Sequence, residues 1–109
     1  MEVLNYTGKE IGIISKSGYP ITVLFPWGNA KCIFETNLKV ETDNLIPIYD
    51  KGFKKVVGLP APDPNKETYY IVNNEVAQWQ NRVRRDLLIP TEPITHQGAT
   101  FYKKLILAF

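Results

Sequence analysis

The chain has 109 residues, a net charge of +2, one cysteine and one histidine. That length fits a single domain, residues 1–109, burying roughly two thirds of the surface its unfolded chain exposes. Cys32 alone excludes an internal disulfide and a multi-cysteine zinc site, and His96 as the lone histidine weighs against a transition-metal centre. No cofactor or metal is therefore expected. Hydrophobic residues at 44% and charged residues at 22% place the sequence among ordinary globular chains.

No apolar stretch approaches the ~20 residues needed to cross a bilayer, and Glu2, Lys9 and Glu10 interrupt any signal-peptide core. The expected location is cytoplasmic, away from membranes. A pI of 8.7 lies below the range that marks nucleic-acid-binding domains by bulk charge, so nucleic acid is not the expected partner.

In chain order, Glu2 to Tyr6, the polar break Thr7-Gly8-Lys9-Glu10 and Ile11 to Ile14 read as strand, turn, strand. Ser17-Gly18-Tyr19-Pro20 is another turn signal, and Ile21 to Phe25 is a strand that stops at Pro26. From Lys31 to Glu41 strict alternation puts Cys32, Phe34, Thr36, Leu38 and Val40 on one face, the pattern of a half-buried strand with Cys32 as a small core residue. Asp43-Asn44 breaks it. Leu45 to Tyr49 then reads as an edge strand, Asp50-Lys51-Gly52 as a turn, and Phe53 to Leu59 as a further strand. The first sixty residues thus predict a β meander.

Leu59-Pro60-Ala61-Pro62-Asp63-Pro64-Asn65 predicts a stiff extended connector. Thr68 to Val72 is a short strand of high β propensity, followed by Asn73 as an N-cap and a helix from Asn74 to about Asp86, with Val76, Trp79, Gln80, Val83 and Leu87 on one side. Pro90 and Pro93 keep residues 89–94 extended, and Phe101 to Phe109 reads as a last strand buried on both faces near its end. The expected class is α+β, mostly antiparallel sheet with one short helix near residues 74–86.

The most distinctive chemistry is Trp79 with Arg82, Arg84 and Arg85. Guanidinium groups grip phosphates and carboxylates in a bidentate way, and an indole stacks on a base or a cation. With Lys54 and Lys55 these residues form a candidate site for an anionic, nucleotide-like ligand; Lys51, Lys103 and Lys104 are further cations within reach of such a patch. The opposing structural reading makes Trp79 a cap on the core, pairs Glu75 and Asp86 with the arginines, and leaves the lysines as solvating charges. Asp86, Glu92 and His96 are the sole acid and base grouping after the helix, and no phosphate loop, nucleophile elbow or zinc motif accompanies them.

Gly58-Leu59-Pro60-Ala61-Pro62, Tyr70-Ile71-Val72, Val76-Ala77 and Arg84, Asp86, Leu87 and Pro90 resemble a group of small uncharacterised bacterial and phage proteins sharing G-L-P-x-P, Y-I-V, V-A and R-x-D-L followed by proline. Asn5-Tyr6-Thr7 and Ile11 to Ile14 are similar to that group's opening hairpin. His96-Gln97-Gly98 departs from its D-x-x-G turn. The resemblance implies an origin in a phage or mobile element, acting in the host cytoplasm, and assigns no activity. From the Arg and Trp cluster and the lack of a catalytic motif, three functions are expected: a non-catalytic homo-oligomer that sequesters an anionic nucleotide-like signal as an anti-defence device; a protein-interaction module that inhibits a host enzyme; and, last, a small enzyme cleaving a phosphodiester or glycosidic bond.

Overall fold

The computed structural model describes residues 2–14, 20–80 and 84–108, the side chains of Pro20, Ile21 and His96 excepted. It is mostly β-sheet with one short helix. The strands are β1 (Glu2–Asn5), β2 (Ile11–Ile14), β3 (Pro20–Leu24), β4 (Lys31–Glu41), β5 (Pro47–Val57), β6 (Thr68–Ile71), β7 (Leu87–His96) and β8 (Ala99–Leu107), with helix α1 (Asn74–Gln80) between β6 and β7.

Among the described residues, six strands form one sheet in the order β1-β6-β7-β8-β2-β3, and β4 pairs with β5 alone in a second sheet. The expected meander is corrected at this point. β1 does not pair with β2 but runs parallel to β6, β6 runs parallel to β7, and β2 runs parallel to β8. Local turn signals report where the chain breaks and not which strand lies alongside, so β1 and β2 read as neighbours although they lie at different places in the sheet. β2–β3 and β7–β8 are antiparallel, the latter closed by Gln97 and Gly98, both at positive φ, as a two-residue hairpin turn favours. At the β2–β8 seam the backbones fit because residue 12 is glycine: a Cβ there would lie 2.3 Å from the Phe101 ring.

The core packs one face of β6 and α1 together. Ala30, Tyr70, Val72, Val76, Ala77 and Leu87 are buried in contact, with Leu4, Tyr6, Leu59 and Ile89 against them. Asn5 is buried as well and knots the β1 exit: its amide donates to the Lys9 and Leu24 carbonyls at 2.6 and 2.9 Å and its Oδ1 accepts from Thr7 N and Oγ1 at 2.9 and 2.7 Å. Every polar atom of that buried amide is thus matched, which is what its burial requires.

The helix is shorter than its apolar spacing suggests. It ends at Gln80, and Leu87, assigned by periodicity to the helical face, is instead the buried first residue of β7. Val83 and the turn at Ser17 to Tyr19 lie outside the described residues. The end of β8 is also more open than expected, with Ile106 and Leu107 nearly half exposed.

The largest departure is the β4–β5 hairpin. Asp50-Lys51-Gly52 is not a turn; it lies mid-strand opposite Asn37, Thr36 and Glu35. The reversal comes at residues 42–46. Thr42 closes it: its carbonyl accepts from Leu45 N at 2.9 Å, its N donates to the Ile46 carbonyl at 3.1 Å, and its Oγ1 accepts from Ile46 N at 3.1 Å. Leu45 takes the left-handed conformation, φ 61°. Among the described residues the ribbon meets the body near its base, through Cys32, Val56 and the Phe34 and Phe53 rings against Trp79, and its outer half projects as an arm. The molecule measures 61 × 38 × 21 Å with a radius of gyration of 17.8 Å. A compact chain of this length has about 13 Å.

Candidate functional site

Helix α1 sets the first part of the site. Asn73 caps it, its Oδ1 accepting from Val76 N at 3.0 Å, and Glu75 occupies the first turn where negative charge is favoured. With Val76 and Ala77 buried, Trp79 emerges on the side facing the arm. Its indole stacks on Phe53 at 4.7 Å and 3° between planes and meets Phe34 edge-on at 6.3 Å. Lys51 Nζ lies 4.0 Å from the centre of the Phe34 ring. The aromatic cluster of Phe34, Phe53 and Trp79 therefore clamps the base of the arm to the helix. Cys32 sits beside it, its thiol 3.8 Å from the Glu75 carbonyl and only partly buried; burial pushes its pKa up, the Glu75 charge adds to that, and Lys51 opposes it. Such a thiol is a poor nucleophile.

Arg84 is a strut. Its Nε and Nη2 donate to the two carboxylate oxygens of Asp86 at 2.9 and 2.8 Å, and its Nη1 donates to the Pro60 carbonyl at 2.7 Å. The guanidinium lies 5.7 Å from the Tyr70 ring centre, and burial, followed by the nearby Asp86 charge, raises the Tyr70 pKa. This bidentate pair, nearly out of solvent, fixes the Pro60 loop against the start of β7 and largely cancels the charge Arg84 would offer an anion.

Arg85 is exposed and lines a groove of about 620 Å³ with Asp63, Lys66, Thr68, Tyr69, Arg84 and Asp86. The Asp63 carboxylate shapes that groove's rim by accepting from Asn65 N, Glu67 N and Thr68 Oγ1 at 3.0 to 3.2 Å, contacts that hold its pKa down. Lys54 and Lys55 are exposed on β5; Lys54 is the extra residue of a β-bulge between the Phe34–Phe53 and Ile33–Lys55 pairs. Arg82 lies outside the described residues.

The sequence-nominated residues therefore divide. Trp79 stacks on Phe53 at the arm base and Lys54 and Lys55 follow Phe53 along β5, whereas Arg84 and Arg85 belong to the Tyr69 groove. Asp86 is held by Arg84, Glu92 pairs with Lys104 at 3.4 Å, and the His96 side chain lies outside the described residues. A second groove of about 640 Å³, lined by Thr7, Lys9, Asn73, Asn74, Thr91 and Tyr102, was not signalled by any local motif because its residues come from four separate segments.

Comparison with protein-family models, curated proteins and solved structures returns no match to this chain. Geometry has to carry the assignment of function.

The feature that periodicity missed is the arm's outer half. The register puts Phe34–Phe53, Thr36–Lys51 and Leu38–Tyr49 on one face. A second bulge at Lys39 turns Val40 and its partner Ile48 to the other face, correcting the expectation that Val40 continues the Phe34 and Leu38 stripe. Nor is the strand half-buried along its length: Leu38 is 57% and Tyr49 56% exposed, and Leu45 at the tip reaches 76%. Alternation marks a strand with an apolar face; what covers that face is a tertiary matter. A usable signal was present, since a run of eleven alternating residues, a break at Asp43-Asn44 and a second strand-forming run of similar length are what a long two-stranded ribbon looks like in sequence.

Proposed function

We propose that this chain is a non-catalytic protein-interaction module that engages a protein partner through the β4–β5 arm. The observation that carries the reading is the arm itself: two eleven-residue strands extending from the body with Leu38, Val40, Leu45, Ile46, Ile48 and Tyr49 exposed. A two-stranded ribbon is marginal by itself, and contiguous exposed apolar surface on a small protein marks a contact site. Trp79, Phe34 and Phe53 make the base stiff, which lowers the ordering cost of binding. The acidic residues Glu41, Asp43 and Asp50 in the outer half disfavour a nucleic-acid partner, whose phosphates they would repel.

A second reading, capture of an anionic nucleotide-like ligand, is favoured by the Tyr69 groove, where Lys66 and Arg85 stand beside an aromatic ring. It ranks behind the first because Arg84 is already engaged by Asp86.

The deciding experiment uses tagged full-length chain as bait against an extract containing untagged copies of the same chain. Wild type and a Lys103→Ala control are expected to retain a protein, whether another copy or a foreign one, at least about ten-fold better than a Leu38→Asp/Tyr49→Asp variant. Equal retention by all three, or none by wild type, would discard the arm as the working surface. ATP bound by the arm variant as well as by wild type, and lost in Arg85→Ala, would move the assignment to the groove.

A further inference from the structure

We infer that the arm's partner is a second copy of this chain, joined antiparallel through the free edge of β4 about a two-fold axis at Thr36, so that two arms make one four-stranded sheet. This rests on the reading of the arm as an interaction surface and adds its occupant.

Among the described residues each strand of the arm pairs on one side only, with the other. The outward amides and carbonyls of β4 and β5 along the projecting part are therefore a template for another strand. Charge distinguishes the two edges. β5 carries Asp50 against Lys51, Lys54 and Lys55, so two copies of β5 repel. Each strand holds one bulge, Lys54 in β5 and Lys39 in β4, and the Lys39 bulge lies outside the five rungs centred on Thr36. β4 carries Lys31 and Lys39 against Glu35 and Glu41 and is neutral. Its charges are also ordered along the arm, with Lys31 at the base and Glu41 at the far end.

An antiparallel β4–β4 pairing about Thr36 sets Thr36 on Thr36, Phe34 against Leu38 and Glu35 against Asn37 of the second copy, and brings the Lys31 end of each strand beside the Glu41 end of the other. No like charges stand opposite in the central five rungs, and apolar, hydroxyl and opposite-charge cross-strand pairs are the stabilising kinds. Phe34 and Leu38 share the face that holds Phe53, Tyr49 and Trp79, so pairing the edges joins two apolar stripes into one continuous surface. The interface is self-complementary, as a two-fold dimer requires.

The experiment is oxidative cross-linking of full-length protein in a Cys32→Ser background, which removes the native thiol. Thr36→Cys places two thiols opposite each other at the axis, and Lys54→Cys reports on the β5 edge. The expected result is a covalent dimer from Thr36→Cys formed at least ten-fold faster than from Lys54→Cys, with wild type sedimenting as a concentration-dependent dimer. Lys31→Glu should weaken that dimer by roughly 5-fold and Lys31→Glu/Glu41→Lys should restore it. A wild type that stays monomeric at hundreds of micromolar, or cross-linking as fast through Lys54→Cys, overturns the β4 pairing. If the monomeric protein still loses a foreign partner on Leu38→Asp/Tyr49→Asp, the arm reading survives and only the second copy is wrong; a dimer unaffected by any arm substitution sinks both.

Discussion

The body and the arm contain the same kinds of side chain, yet use them in opposite ways. Leu87 in β7 and Leu38 in β4 are both aliphatic strand residues; the first is fully buried between β6, β8 and the helix and the second is mostly in solvent. In the body, β7 has β6 and β8 on its two edges and the helix against Leu87, so that side chain leaves water. The arm's strands have each other and, at the base, three aromatic rings. What separates core from interface here is the number of neighbouring elements and not the composition of the strand.

The sharpest way to break that comparison is to truncate the two leucines. Leu87→Ala is expected to lower unfolding free energy by about 2–5 kcal/mol, since a fully buried side chain leaves a cavity, whereas Leu38→Ala should change it by less than about 0.5 kcal/mol for the monomer. Urea titration of both at a dilution where no dimer persists gives the values. A cost at Leu38 approaching that at Leu87 would mean that the arm folds onto the body in solution.

Next in size is the aromatic clamp. Trp79→Ala removes the ring stacked on Phe53 and should loosen the arm alone, so amides in 33–55 are expected to exchange at least ten-fold faster while those of β6 and β7 keep their protection. Uniform loss of protection would show that arm and body unfold as one unit.

The smallest expected effect is electrostatic and confined to the body. Tyr70 is buried beside Asp86, so its phenol titrates above the ordinary tyrosine range in the folded protein. A raised folded pKa means that the native state holds the proton where the unfolded state releases it. Its contribution is fully present below the unfolded tyrosine pKa and disappears as pH rises through the folded value, so stability should fall above about pH 10. Tyr70→Phe should flatten that alkaline slope while leaving retention of the arm's partner unchanged; an unaltered slope would remove Tyr70 as the cause.

Much of the chain's local organisation was legible before any coordinates. The bounds of β4 follow from its alternation, and the Asn73 cap and the start of α1 from a polar residue ahead of Val76-Ala77. The expected extended connector over 59–65 is cut short, because Asp63 to Lys66 closes as a turn with Lys66 N donating to the Asp63 carbonyl at 3.0 Å. Of the candidate site, the aromatic and basic residues were visible as types but not as partners. Arg84 reads as an anion ligand or as a mate for Asp86 with equal ease in sequence, and the Pro60 carbonyl that completes its coordination lies 24 positions away.

Sequence by itself determined the strand-rich class, the short helix and some of the breaks, at Thr7 to Glu10 and Asp43-Asn44 but not at Asp50 to Gly52, because propensity, capping and alternation act over a few neighbouring residues. Only the tertiary structure decided that β1, β6 and β7 run parallel, that residues 31–57 leave the body as one ribbon, and which apolar faces stay in water. Those outcomes depend on pairings between segments far apart in the chain, and a strand's alternation is the same whether its apolar face meets a core, a second molecule or solvent.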